Sequence, residues 1–402
     1  MKLASRTEVL TDSLPLKISA KAKAMMANGE NVVNLSVGEP DFPSPKNIKA
    51  TGIDAINNNI TRYTASAGIP ELRKAVAANL KKTNNLDYDF TQIIVTNGAK
   101  QAIASTLLAL VNPGDEVIYP VPCYASYVDL IRLAGGVPVP CLTTAETGFR
   151  MVPEELEQLI TDKTVAVIIN NPNNPTGAAF TPEEVQALGE MLVKKDIWVI
   201  SDEIYEKLRY DGNSHLSFAS IDGLKEKVAL INGVSKYYCM TGWRIGFLAA
   251  EPKLASAVGK IQSQMTGSPC SISQKAAVEA YAGDCSEPEA MVGVFKARSE
   301  LIAGLLDEIP DLKTMKPEGA FYAWVDVTSY LGKSSSGATA SRGKIINDSF
   351  ALCEYLLEEY KVALIPGVAF GMEGYVRFSF AASEDNIAEG VKRFGDGLGS
   401  LV

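Results

Sequence analysis

The chain has 402 residues, 47% of them hydrophobic and 21% charged, which suits a water-soluble globular protein with one large core and a smaller one and excludes a disulfide-stapled module. Against 38 Lys and Arg stand 47 Asp and Glu, so the net charge of −9 repels phosphate backbones and anionic lipid, and neither nucleic acid nor membrane is expected as a partner. Six cysteines without a C-x-x-C spacing and one histidine offer no metal framework, and His215, in a loop-like polar run, reads as a plain surface residue.

The first forty-odd residues lack an apolar leader and end in the turn-rich NLSVGEPDFPSP, so they are expected to pack on a distal domain of a cytoplasmic protein. From about residue 92, β-branched runs at 93–95, 116–119, 164–169, 197–201 and 228–232 alternate with helical patterns, which predicts an α/β fold whose mostly parallel sheet is covered by helices. Thr181-Pro182-Glu183-Glu184 has the makings of a capped helix start, and Val152-Pro153-Glu154-Glu155 repeats it loosely. Helical patterns near 287–308 and 346–360, with strands such as AFYAWVDV, VALIPG and YVRFSF, predict a separate small α+β domain. The expected division is 1–47 as a segment packing on the small domain, 48–290 as the large domain and 291–402 as the small one. The low-complexity stretch 332–343, GKSSSGATASRG, reads as a mobile surface loop.

Open parallel sheets bind ligands beyond the carboxyl ends of their strands, so the residues there carry the functional argument. After the first run come Asn97, Gly98, Ala99 and Lys100 at a helix start, a place for a phosphate. After the third comes NNPNNPTG (170–177), and after the fourth Asp202, a carboxylate that should face something cationic. After the fifth come Ser235 and Lys236, where desolvation would turn a lysine into a nucleophile or base. Phosphate cup, carboxylate, hydroxyl, amide and lysine at neighbouring strand ends together match the needs of pyridoxal phosphate.

The chain also resembles the class I aminotransferases of pyridoxal-phosphate fold type I, the aspartate-aminotransferase-like enzymes, roughly from Val33 to Phe394. The likeness rests on LSVGEPDF (35–42), RYTASAGIPELR (62–73), NGAKQA (97–102), NPNNPTG (171–177), SDEIY (201–205), SKYYCMTGWRIG (235–246) and VRFSFAASEDN (376–386), in this order. The resemblance implies that Lys236 carries the Schiff base and moves the substrate proton, with Asp202 at the pyridinium nitrogen. It implies Tyr205 and Asn174 at the ring oxygen, Tyr124 stacked on the ring, and Gly98, Ala99, Ser235 and Arg244 at the phosphate. It further implies that Arg377 and a Gly38 backbone contact hold the substrate α-carboxylate, and that Tyr63 reaches the site of the other subunit of a homodimer.

Lys100 resembles the lysine of bacterial aspartate enzymes that reads the distal carboxylate, because a second buried cation is favourable only opposite a second anion. Pro15 and Tyr124 depart from the aspartate pattern. The expected activity is a ping-pong exchange from L-aspartate to 2-oxoglutarate. Prephenate, aromatic or alanine-like substrates are the alternatives within the family, and a pyridoxal-phosphate lyase is the rival reaction.

Overall fold

The structure, a computed structural model, describes residues 2–11, 14–336 and 343–402; half of the stretch 332–343, expected to be a mobile loop, lies outside these. In chain order the strands are β1 (Val33–Asn34), β2 (Ile93–Thr96), β3 (Glu116–Val121), β4 (Val137–Leu142), β5 (Thr164–Asn170), β6 (Trp198–Asp202), β7 (Val228–Gly233) and β8 (Gly246–Ala249). There follow β9 (Lys313–Thr314), β10 (Tyr322–Asp326), β11 (Val362–Ala363), β12 (Ile365–Pro366) and β13 (Tyr375–Ser379).

Seven strands form the main sheet in the order β2-β8-β7-β6-β5-β3-β4, parallel except for β8, which runs antiparallel to β2 and β7. Alternation along β5 shows how the sheet is covered: Val167 and Ile169 enter the apolar layer on one face, Ala166 and Ile168 that on the other. Burying each large aliphatic contributes roughly 1.5–3 kcal/mol, so strands apolar on both faces are stable only between two helical layers. Two strands were not legible in the sequence. β4 carries Pro138 and Pro140, which remove ladder donors and are tolerated because β4 is an edge, and β8 is four residues long.

The helix Pro182–Val193 starts as predicted: Thr181 Oγ1 accepts from the Glu184 amide at 3.2 Å and Glu184 Oε2 from the Thr181 amide at 2.8 Å. The helix Pro153–Leu159 has the N-terminal proline but no side-chain cap, since Val152 has no oxygen to offer. A second sheet, β12-β13-β10-β9, lies against the long helix Ser286–Asp307 and the C-terminal helix Glu384–Gly399. Its core of Phe295, Trp324, Phe378 and Phe394 also takes in Ile18, Ala22 and Leu35, and β1 pairs in parallel with β11, which ties the N-terminal segment to this layer.

His215 is a correction. Its side chain is 8% exposed, and Nε2 lies 2.9 Å from Oε2 of Glu203, whose Oε1 accepts from Ser201 and Ser217. A buried carboxylate needs partners, and the polar run 211–217 folds back to supply them. Glu206 stands beside this pair, with a carboxylate oxygen within 4.8 Å of an oxygen of Glu203 and a ring nitrogen of His215, and accepts from Asn84 Nδ2.

Candidate active site

Because β2, β3, β5, β6 and β7 are parallel, their carboxyl ends share one edge, and antiparallel β8 begins at that same edge. Topology therefore gathers Gly98, Tyr124, Asn174, Asp202, Ser235, Lys236 and Arg244 from six segments of the chain. Arg377, on β13, reaches them from the second sheet.

Asp202 ends β6 and is buried. Its Oδ2 accepts from the Tyr127 hydroxyl at 2.6 Å, Oδ1 from the Ile204 amide at 3.3 Å, and its carbonyl from Asn170 Nδ2 at 2.9 Å. Burial raises the carboxyl to about 6, against the pull of these donors and the more distant Lys236. The expected contacting cation is not a protein side chain: Tyr127 takes that place, and the carboxylate is held where a protonated ring nitrogen would stabilise its charge.

Lys236 follows β7 and Ser235. Its Nζ donates to the Gly38 carbonyl at 2.6 Å and stands 5.5 Å from the ring centres of both Tyr205 and Phe321. The side chain opens to the cleft, yet the protein packed around it desolvates the ammonium and, with Arg377 adding like-charge repulsion, lowers it to about 8.

The phosphate side is built by close backbone approach. Gly98 has φ +86°, and a Cβ there would lie 2.5 Å from Arg244 Nη2; a Cβ on Gly246 would lie 2.4 Å from the Ala99 nitrogen. Helix Ala99–Leu110 begins here, so its first-turn amides lack helical acceptors and its positive dipole end faces the same spot. Arg244 itself takes the left-handed conformation at φ +58°, and bonds to the carbonyls of Thr241 at 3.0 Å and Asn97 at 3.3 Å turn its guanidinium toward Gly98. This cradle fits a phosphate; buried Ser235 precedes Lys236 in the chain. Gly98→Ala should weaken retention of pyridoxal phosphate about tenfold or more, since an alanine costs about 1–3 kcal/mol in that backbone conformation. Titration of cofactor-free protein with the cofactor measures it, and unchanged affinity would contradict the cradle.

Arg377 is 4% exposed. Nη1 donates to Asn174 Oδ1 at 2.9 Å and Nη2 to the Ser36 carbonyl at 2.9 Å, while the rings of Tyr322 and Phe370 lie 4.3 and 4.8 Å from its Cζ. Nε is buried without a partner. With its oxygen committed to Arg377, Asn174 has its amide hydrogens left to donate. The other asparagines of the turn serve the turn: Asn170 Oδ1 accepts from the Asn174 amide at 2.9 Å, and Asn173 Oδ1 from Thr176 Oγ1, also at 2.9 Å. The Tyr205 and Tyr322 hydroxyls are 2.9 Å apart.

Lys100 is exposed in the first turn of its helix and so is not the buried second cation that was expected; its Nζ lies 5.5 Å from the ring centre of Tyr124, whose ring meets Tyr127 edge-on. Gly38 stands at Lys236, while the backbone carbonyl on Arg377 is that of Ser36. Tyr63 is fully exposed. Sequence reasoning missed Tyr127, Tyr322, Phe370 and Ser36, whose roles arise only when distant segments meet. Only Tyr127 carried a signal, on the first turn of the helix after Tyr124.

The donor set fits pyridoxal phosphate: a cradle for its phosphate, a carboxylate for its ring nitrogen, hydroxyl and amide donors for its ring oxygen, and a lysine for its aldehyde. Among the described residues no helix is long and apolar enough to cross a membrane. Comparison with known proteins agrees with the site. The family model "Aminotransferase class I and II" matches residues 30–394. The aspartate aminotransferase of Bacillus subtilis is 43% identical over 98% of both chains. An aspartate/prephenate aminotransferase of Cereibacter sphaeroides is 42% identical over 95% of this chain and 94% of its own. The crystal structure of the aspartate aminotransferase from Rhizobium meliloti superposes with a TM-score of 0.94 at 39% identity and full coverage of both chains. The chain therefore belongs to the class I and II aminotransferases, enzymes that work with pyridoxal phosphate.

Proposed function

We propose that the protein transfers the amino group of L-aspartate, released as oxaloacetate, to 2-oxoglutarate, released as L-glutamate. Two cations support this reading: Arg377, fixed in plane by Asn174, Ser36 and two rings, and Lys100, whose Nζ lies 5.5 Å from the ring centre of Tyr124. A dicarboxylic substrate satisfies both.

The bound cofactor supplies an electron sink for the pair left on the substrate Cα. The residues do the rest. Arg377 offers a planar fork to the α-carboxylate and so decides which Cα bond points at the cofactor face. Lys236 would hold the cofactor through its aldehyde and is placed to move the Cα proton, a task suited to an amine lowered to about 8 because it is a base close to neutral pH. Asp202, seated by Tyr127 and Ile204, holds a proton on the ring nitrogen. Tyr205 and the free amide hydrogens of Asn174 donate to the ring oxygen.

Tyr63, fully exposed on one chain, is proposed to enter the neighbouring site of a homodimer. The proposed compartment is the cytoplasm. Prephenate is the second reading, because it also presents two carboxylates to Arg377 and Lys100, and the relative from Cereibacter sphaeroides carries that name.

Lys100→Ala should raise KM for aspartate by roughly 10- to 100-fold, the worth of one charge-assisted hydrogen bond, and change turnover of alanine by less than about twofold. Steady-state kinetics with both amino acids decides it. Equal effects on the two would remove Lys100 from the substrate.

A further inference from the structure

Tyr322 begins β10, is 1% exposed and makes three contacts in the cleft. One ring face lies 4.3 Å from the Arg377 guanidinium. Its hydroxyl lies 2.9 Å from that of Tyr205, and 3.1 Å from where a Cβ on residue 38 would stand, so the absence of a side chain at Gly38 gives it room. Its backbone is pinned as well, by pairing with Ser379 on β13 and by Gly177, where a Cβ would lie 2.5 Å from the Tyr322 carbonyl. A tyrosine immobilised between the guanidinium and a second phenol is placed to pass the charge of one to the other.

The direction follows from what faces each phenol. Tyr322 is faced by Arg377, Tyr205 and Tyr124; Tyr205 by Tyr322, Arg377, Asp202 and Lys236. Burial raises both phenols, and the Arg377 guanidinium, 4.3 Å from the ring centre of Tyr322, is the strongest influence opposing it there and makes that phenol the readier donor. The more acidic phenol is the better donor, so Tyr322 donates to Tyr205 and leaves the Tyr205 proton for the cleft.

We propose that Tyr322 is a positioning residue that couples the carboxylate grip of Arg377 to hydrogen-bond donation by Tyr205. The proposal rests on the reading that Tyr205 faces the ring oxygen of the cofactor. Donation from Tyr322 polarises the Tyr205 hydroxyl, strengthens its bond to that oxygen and favours the oxygen's anionic form. A carboxylate on Arg377 offsets the charge beneath the Tyr322 ring and weakens the chain, and the cofactor's lysine linkage, which would share its proton with that oxygen, would then hold the proton more tightly. Substrate capture at one end of the cleft is thereby felt at the cofactor.

The test titrates the visible absorbance of the holoenzyme against pH, with and without saturating succinate, a dicarboxylate that has no amino group to transfer. Tyr322→Phe keeps the ring beneath Arg377 and removes only the hydroxyl. It should raise the absorbance midpoint by about half a unit to one unit, a three- to tenfold change in proton affinity, halve the shift that succinate causes and leave succinate affinity within about threefold. Tyr205→Phe should raise the midpoint at least as far, and the double variant should match Tyr205→Phe alone, because the two act in series. An unchanged midpoint in Tyr322→Phe, or additive shifts in the double variant, overturns the proposal. So does a tenfold loss of succinate affinity without a midpoint shift, which would make Tyr322 only a seat for Arg377. Gly38→Ala crowds the same hydroxyl from the far side and should shift the midpoint in the same direction, a check independent of whether Tyr322→Phe folds. Wild-type protein that develops no visible band with pyridoxal phosphate would show failure of the cofactor reading, a separate result.

Discussion

Lys236→Ala is expected to abolish transamination, with turnover reduced by at least about 10⁴-fold, because it removes both the covalent tether of the cofactor and the base at the substrate Cα. The fold should survive. The lost side chain opens to the cleft, and its one hydrogen bond, to the Gly38 carbonyl, can be replaced by water. Intact mass after borohydride reduction should show the cofactor fixed to wild-type protein and absent from the variant, while thermal unfolding stays within a few degrees. Residual turnover above about 1% of wild type, from a variant confirmed by mass, would place the proton transfer on another residue.

The second large effect belongs to Arg377. Arg377→Leu should lower kcat/KM for aspartate by roughly 10³- to 10⁴-fold, since two charge-assisted bonds of about 1.5–3 kcal/mol each are lost to the substrate. Arg377→Lys should recover little. An ammonium is a point charge that cannot bond Asn174 and Ser36 together while lying flat between Tyr322 and Phe370. It would free Asn174 to turn and blur the aim of its amide. Steady-state kinetics of both variants measures the effect, with circular dichroism as the control for folding. A lysine variant within about tenfold of wild type would mean that charge, and not the planar fork, holds the carboxylate.

What the sequence made legible in this site was whatever sits at a strand end. Asp202, Lys236, Gly98 and Asn174 follow apolar runs whose direction the βα alternation sets, so their shared edge could be inferred before any coordinate. The capping box at Thr181 was legible for the same local reason. Tyr127, Tyr322 and Phe370 were not, since each faces the cleft through contacts between segments far apart in the chain. Tyr127 meets Asp202 across 75 residues, and Arg377 meets Ser36 across 341. His215 was misread because a polar run resembles surface until a buried carboxylate, here Glu203, requires its donors. The edge strand β4 escaped because its prolines contradict strand propensity, a conflict that only its place at the sheet margin resolves.

The central claim is that this cleft exchanges amino groups with a dicarboxylic amino acid. The most direct measurement mixes the holoenzyme with one amino acid at a time, without an oxo acid, and follows the cofactor's visible band as it converts to its amino form. Aspartate and glutamate should convert the band fast and stoichiometrically and then stop, releasing one oxo acid per site, and 2-oxoglutarate should restore it. Fast conversion by alanine or aromatic amino acids but not by aspartate, or continued release of ammonia together with oxo acid when no acceptor is added, would contradict the account.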